Sequence, residues 1–122
     1  MLEKLSNFIG SRQLNMSYLH TTSTIDNVNS IFSNGFYYQV FKNTTDFVGR
    51  NDLTQLLLKK AMFGNYVIII EIPKTLTDYY AVSTRGYDER GNQISILPSK
   101  YVKGYYIKTT EEIITNPSYL TF

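Results

Sequence analysis

The chain has 122 residues, of which 43% are hydrophobic and 18% charged, a composition too apolar for a disordered tail and suited to one folded domain. It contains no cysteine, which excludes disulfides, thiolate nucleophiles and thiolate metal sites, and its net charge of +2 is too small to indicate nucleic-acid binding by itself. The N-terminus has no uninterrupted apolar stretch, and the longest apolar run, residues 66–70, is far below the roughly 20 residues that span a bilayer, so we expect a cytoplasmic protein without membrane association.

The first third of the chain predicts a helix, a strand and a second helix. Residues 2–9 carry apolar side chains at helical spacing, followed by a glycine. Residues 16–22 have the composition of a strand and end in hydroxyl residues. Ser23 or Thr24 can cap a helix over residues 25–34, which an asparagine-glycine pair then ends.

The middle of the chain predicts alternating strands and helices. Residues 36–41 are aromatic enough for a strand, and residues 51–64 have a capped helical pattern. Residues 66–73 carry consecutive β-branched side chains up to a glutamate and a proline, which predicts a central strand buried on both faces. Residues 83–92 predict a polar loop, and residues 102–108 predict another strand.

The C-terminal segment predicts one more helix. Thr109 and Glu112 have the spacing of a capping box, and Pro117 requires the helix to stop near Asn116. This mixture of helices and strands with short connections predicts an α+β fold in a single domain covering residues 1–122.

His20 is the only histidine in the sequence, and it lies at the predicted end of the first strand. A lone histidine in such a position is more often a hydrogen-bonded structural residue than a functional one. With no second histidine and no cysteine, a zinc site is not expected. Any histidine chemistry near neutral pH must therefore use His20.

The surroundings of His20 carry a resemblance to a known family. Residues 18–23, Tyr-Leu-His-Thr-Thr-Ser, followed by a helix and by Asn34-Gly35-Phe36, resemble the opening unit of ADP-ribosyltransferase-like domains. Two further segments stand in the expected order: the hydrophobic strand over 67–73, and residues 96–104, Ile-Leu-Pro-Ser-Lys-Tyr-Val-Lys-Gly. The latter is similar to a proline-tyrosine-glycine segment near the end of many bacterial and phage members. The resemblance covers roughly residues 16–108.

The resemblance implies a small domain with a split, mostly antiparallel sheet flanked by short helices, and NAD bound in the cleft. His20 would hydrogen-bond the nicotinamide ribose, and the Thr21 backbone would pair with the carboxamide, with Thr22 beside them as a further cofactor contact. Three aromatic residues are candidates for stacking on the nicotinamide ring: Tyr37, Tyr38 and Phe47.

The family's acidic residue has no direct counterpart in this chain. The acid orients a ribose hydroxyl and stabilises positive charge on the breaking glycosidic bond, and its place here is taken by Gln93. A neutral amide can hydrogen-bond the ribose but offers no negative charge. Asp88 and Glu89 lie nearby in sequence and are alternative sources of a carboxylate. The resemblance therefore implies Gln93 and His20 as catalytic residues.

Two functions of different classes follow from these observations. The first is an NAD-binding mono-ADP-ribosyltransferase that modifies a macromolecular target, protein or nucleic acid, as bacterial or phage toxins and anti-defence proteins do. The second is a catalytically inactive protein that keeps the fold and blocks a partner through its surface, rich in the chain's eleven tyrosines. A nucleic-acid-binding module is disfavoured because no basic cluster is interleaved with the aromatic residues.

Overall fold

A computed structural model describes residues 2–9, 15–37, 46–47, 64–76, 90–91 and 96–119 of the chain. Two α-helices and seven strands lie in these segments: α1 (Leu2–Phe8), α2 (Ile25–Asn34), β1 (Asn15–Thr22), β2 (Phe36–Tyr37), β3 (Asp46–Phe47), β4 (Tyr66–Pro73), β5 (Ile96–Leu97), β6 (Val102–Ile107) and β7 (Glu112–Thr115). Short 3₁₀ helices follow β4 at Lys74–Leu76 and precede β6 at Ser99–Tyr101.

The strands form a split antiparallel sheet. The larger sheet has the order β3-β1-β4-β6-β7, and a separate two-stranded sheet pairs β2 with β5. Each of the described strand pairings is antiparallel. The α+β class and the split sheet with short flanking helices are therefore confirmed.

Strand β4 lies at the centre of the larger sheet and divides the core in two. Ile68, Ile70 and Ile72 pack on the side of the sheet that α2 covers, together with Val28 of that helix. Val67 and Ile69 belong to the opposite cluster. Both clusters exclude solvent from these side chains, which confirms a central strand buried on both faces.

Helix α1 covers the second face of the sheet. Its residues Leu5 and Phe8 pack there with Ile9, which directly follows the helix. The helical spacing of these apolar side chains predicted the contact, because residues three and four apart share one face of a helix. No helix within the described segments is long and apolar enough to cross a membrane.

Several predicted elements lie outside the described residues. These are the helix over 51–63, the continuation of the strand over 38–41, and most of the polar loop, positions 83–89 and 92. The predicted strand over 102–108 is confirmed as β6, one residue shorter.

The predicted C-terminal helix is wrong, because this segment forms strand β7 against β6. The Thr109 hydroxyl accepts a hydrogen bond from the Asn65 side chain at 3.1 Å and does not cap a helix. One turn closes when the Glu111 amide donates to the Ile107 carbonyl at 2.7 Å, and Glu111 then adopts a left-handed φ of 61° that ends the helical path. The two isoleucines that follow are β-branched and pair with the tyrosines of β6.

A buried ionic group, here called the Glu71 cluster, consists of Glu71, Lys103, Tyr119 and Phe8. Glu71 is fully buried in β4, and its carboxylate accepts hydrogen bonds from the Lys103 ammonium at 3.3 Å and the Tyr119 hydroxyl at 3.2 Å. The same ammonium donates to the Phe8 carbonyl and lies 4.9 Å from the centre of the Phe8 ring. The cluster therefore links α1, the central strands and the C-terminal segment.

The Glu71 cluster makes stability sensitive to alkaline pH. Burial, then the charge of Glu71 and the hydrogen bond to it, raise the pKa of the Tyr119 phenol above its usual value of 10.0. The folded chain keeps this proton where the unfolded chain loses it, so the stabilisation is complete below about pH 10 and is lost as the pH rises further. Urea unfolding between pH 8 and pH 11 should therefore show a shallower loss of stability in Tyr119→Phe than in the wild type. Equal losses in both proteins would contradict this role.

Candidate functional site

The described residues form a cleft with a volume of about 520 Å³ on the side of the sheet that α2 covers. Strand β1, helix α2 and the two-stranded sheet form its walls. Its lining residues are His20, Asn27, Ser30, Ile31, Asn34, Gly35, Phe36, Tyr37 and Ile96. This volume lies within the range of pockets that hold small molecules and cofactors.

His20 lies near the end of β1 and faces the cleft. Its strand partner in β4 is Ile68, whose side chain packs on the α2 side of the sheet, and alternation along β1 places His20 on that same side. The imidazole contacts the buried ring of Phe36 edge to face, with ring centres 4.8 Å apart. Phe36 thus restricts the orientation of the imidazole at the cleft.

Helix α2 starts directly after the strand that carries His20. Thr24 is its N-cap, and the Thr24 hydroxyl accepts a hydrogen bond from the Asn27 amide at 3.3 Å. The Asn27 side chain in turn donates to the Thr22 hydroxyl at 2.9 Å. These bonds fix the first turn of the helix to the end of β1, so the two walls of the cleft are held together.

Gly35 brings two distant segments of the chain to the cleft. Its amide donates to the Ile31 carbonyl at 2.9 Å, which ends α2, and its φ of 84° is one that residues with a side chain rarely adopt. A Cβ atom at Gly35 would collide with the Leu97 carbonyl oxygen. Directly after it, Phe36 pairs with Leu97 and Tyr37 pairs with Ile96. The segments over 34–36 and 96–104, which the family resemblance rests on, therefore meet in space.

Comparison with known proteins assigns no family to this chain. No family model, curated protein or solved structure matches it. The resemblance to ADP-ribosyltransferase-like domains therefore stays a prediction.

The described lining of the cleft is mixed in polarity. Apart from His20, its described lining contains amide, hydroxyl, phenol, aliphatic and aromatic groups, with no lysine, arginine, aspartate or glutamate among them. Tyr37 exposes 69% of its surface and Ile96 exposes 38%. The described residues contain no cluster of three or more acidic or histidine side chains that could hold a metal ion.

The structure brings two of the predicted site residues together, His20 and Tyr37. The Thr22 hydroxyl is buried and holds Asn27, whereas the Thr21 side chain packs on the opposite face of β1, because its partner Val67 belongs to the α1 cluster. Thr21 can therefore reach the cleft only through its backbone, the role that the resemblance implies.

The side chains of the remaining predicted site residues lie outside what the structure describes. Tyr38, Gln93, Asp88 and Glu89 lie outside the described residues. Phe47 lies in β3, where its backbone pairs with Tyr18.

Sequence reasoning missed the polar face of α2. Asn27, Ser30 and Asn34 all line the cleft, and their spacing of three and four residues places them on one side of the helix. That spacing was visible in the sequence. What was not visible is that β5 closes the cleft with Ile96, because this requires the pairing of two strands about 60 residues apart.

Proposed function

We propose that this protein binds NAD in the cleft beside His20 and belongs to the ADP-ribosyltransferase-like class, transferring ADP-ribose to a macromolecular target. One observation carries the proposal: the only histidine of the chain and an exposed tyrosine line the same cleft, between segments that the family resemblance selects. The split antiparallel sheet around that cleft is the arrangement that the resemblance implies.

The proposed roles follow from the chemistry of the lining residues. The imidazole of His20, oriented by Phe36, can hydrogen-bond a ribose hydroxyl. The exposed ring of Tyr37 offers a stacking surface for the nicotinamide. Asn27, Ser30 and Asn34 supply neutral donors and acceptors for the sugar or the carboxamide.

Turnover is expected to be slow compared with binding. In the resemblance, Gln93 stands where the family has an acid, and an amide cannot offer a full negative charge to the cation that develops as the glycosidic bond breaks. We therefore expect NAD binding to be the more readily measured property, and hydrolysis of NAD to be the weaker one.

A second function is favoured by the exposed apolar surface. Tyr37 and Ile96 are paired across β2 and β5, and both are among the large apolar side chains that the structure leaves exposed. Neighbouring exposed apolar residues of this kind can form part of a surface that binds another protein. A catalytically inactive protein that blocks a partner through this face is therefore the alternative.

Calorimetry with NAD tests the proposed function. Wild-type protein should bind NAD at millimolar concentration or below, and His20→Ala should bind at least about fivefold more weakly, because one hydrogen bond of about 1 kcal/mol is lost. His20→Gln, which keeps a hydrogen-bonding group, should lie between the two. The control is Lys4→Ala, an exposed change on α1 across the sheet, which should bind like the wild type.

Thermal unfolding provides an independent measurement of the same NAD binding. A ligand that binds the folded state alone raises its stability by RT ln(1 + [L]/Kd), so millimolar NAD should raise the Tm of the wild type more than that of His20→Ala. Equal shifts would remove His20 from the site. Absence of NAD binding to the wild type would exclude the transferase function and leave the partner-blocking alternative.

A further inference from the structure

Asn116 is a buried polar residue that directly follows β7 and lies outside the lining of the cleft. Only 2% of its surface is exposed. Its side-chain NH₂ group donates hydrogen bonds to the carbonyl oxygens of Ser99 at 3.0 Å and Val102 at 2.8 Å. Its side-chain oxygen accepts a hydrogen bond from the Ser118 amide at 3.2 Å. The side chain therefore uses both of its N–H donors and its acceptor.

These three hydrogen bonds require an amide side chain at position 116. The two carbonyl oxygens need donors, whereas the Ser118 amide needs an acceptor, and asparagine is a short side chain that carries both. An aspartate would place a negatively charged oxygen against the carbonyl groups, and an alanine would provide no bond. Because the site is buried, a polar group that loses its partner there is not compensated by solvent, so the bonded groups depend on Asn116.

The groups that accept hydrogen bonds from Asn116 belong to the two ends of one 3₁₀ helix. Ser99 is the first residue of this helix, and Val102 directly follows its last residue, Tyr101. Tyr101 is 1% exposed and belongs to the same buried cluster as Phe36 on the α2 side of the sheet. Asn116 therefore fixes a short helix that packs in the core beside the cleft.

The chain that precedes this 3₁₀ helix forms a wall of the cleft. Pro98, whose ring restricts its backbone, is the single residue between β5 and the helix. In β5, Ile96 lines the cleft and Leu97 pairs with Phe36 of β2. Phe36 in turn contacts the imidazole of His20, with ring centres 4.8 Å apart. A shift of the 3₁₀ helix therefore moves both the wall and the ring that orients His20.

We propose that Asn116 is a positioning residue for the cleft. It holds the 3₁₀ helix and thereby fixes the β5 wall and, through Phe36, the orientation of His20, without lining the cleft itself. Its effect on His20 is a property of the fold alone. Its effect on NAD binding rests on the proposed function.

The NMR signals of the His20 ring report this effect directly. His20 is the only histidine in the sequence, and a neighbouring aromatic ring shifts the signals of the imidazole protons by an amount that depends on its position. At pH 8, and at a temperature where each variant is folded, Asn116→Ala should shift these signals. Asn116→Ser keeps a hydroxyl that donates one hydrogen bond and should shift them less. It provides the same comparison if Asn116→Ala does not fold.

Two control variants change the same segment without removing the bonds of the Asn116 side chain. Tyr119→Phe removes the hydrogen bond to Glu71 at 3.2 Å, which belongs to the Glu71 cluster on the α1 side of the sheet. Ser118→Ala changes an exposed side chain and keeps the backbone amide that donates to Asn116. Both controls should leave the His20 signals at their wild-type positions.

Calorimetry with NAD provides a second measurement. A displaced wall weakens the contacts of a ligand in the cleft, so Asn116→Ala should bind NAD at least about threefold more weakly than the wild type. Both control variants should bind NAD like the wild type.

The outcomes separate this inference from the proposed function. If Asn116→Ala, or Asn116→Ser in its place, lowers stability to urea but leaves the His20 signals unchanged, Asn116 supports the fold alone and the positioning role is overturned. Equal shifts in Tyr119→Phe would also overturn it, because the effect would then come from a general loosening of the segment. If the signals shift in the Asn116 variants alone while the wild type binds no NAD, the positioning role stands and the NAD assignment fails.

Discussion

Ile69→Ala is expected to lower the free energy of unfolding by about 2 to 5 kcal/mol. Ile69 is fully buried in the central strand β4 and packs with Leu5, Ile9 and Leu19 on the α1 side of the sheet. Removing three carbon atoms there loses their transfer free energy and leaves a cavity, because neighbouring strands on both sides limit relaxation. Urea unfolding followed by circular dichroism measures the loss.

Two further changes show that the cost comes from burial. Ile69→Val removes a single methylene group and should cost about 1 kcal/mol. Ile25→Ala makes the same chemical change at the start of α2, where the side chain is 39% exposed, and should cost less than about 1 kcal/mol. A loss below about 0.5 kcal/mol for Ile69→Ala would contradict burial of this face of β4.

Strand β4 and helix α2 could be predicted from the sequence because their signals are local. A run of consecutive β-branched residues is typical of a strand covered on both faces, and β4 has that environment. Thr24 and Gly35 mark the two ends of α2 through their own hydrogen bonds and backbone angles. Such signals depend only on residues that lie within a few positions of one another, so they can be recognised directly in the sequence.

Strand β7 could not be predicted in the same way because its local signals conflict with its long-range contacts. Thr109 and Glu112 have capping-box spacing, but Thr109 bonds Asn65, which is 44 residues away, and the isoleucines that follow find tyrosine partners in β6. A helix would forfeit these strand pairings. Helical propensity is a weak preference that tertiary context overrides.

The environment of Glu71 in the core also could not be predicted from local sequence. The sequence predicted a central strand buried on both faces but identified no partner for its charged residue, and Glu71 is fully buried. Its burial depends on Lys103 and Tyr119, which lie 32 and 48 residues further along the chain. No local pattern reveals that a carboxylate has found two donors at such distances.

Some residues of the candidate site could be predicted from local sequence, whereas others join the site only through long-range contacts. His20 and Tyr37 were predicted because they flank a recognisable strand-helix unit, and the structure places them at one cleft. Ile96 joins them only through the pairing of β2 with β5. The family resemblance identified the segment over 96–104 by its proline-tyrosine-glycine pattern. It did not indicate which wall of the cleft this segment forms.

The α2 cleft and the Glu71 cluster lie on opposite faces of the same strands. On β4, Ile68 pairs with His20 and packs on the α2 side of the sheet, while Glu71, three residues later, faces α1 and Lys103. The cluster therefore fixes the β4 and β6 strands, on which β1 and its histidine depend, without occupying the cleft. Changes in the cluster should alter stability and leave the chemistry of the cleft side chains unchanged.

Lys103→Met is expected to lower the free energy of unfolding by about 3 to 5 kcal/mol, because it leaves the carboxylate of Glu71 buried without its cation. Methionine keeps most of the side-chain length, so the loss reports the charge more than the volume. The lost contacts are the 3.3 Å ion pair with Glu71, the hydrogen bond to the Phe8 carbonyl and the approach to the Phe8 ring. Urea unfolding at pH 7.5 measures the change.

The double variant Glu71→Gln with Lys103→Met isolates the contribution of the unpaired charge. In the wild type the Tyr119 hydroxyl donates a hydrogen bond to the Glu71 carboxylate at 3.2 Å. Glutamine keeps an oxygen that can accept this bond, but it carries no charge. The double variant should therefore be more stable than Lys103→Met alone by at least about 1 kcal/mol, since an uncompensated buried charge costs more than a buried neutral amide. If the double variant is no more stable than Lys103→Met, the ammonium of Lys103 contributes through packing and its bond to Phe8, and the ion pair with Glu71 adds nothing.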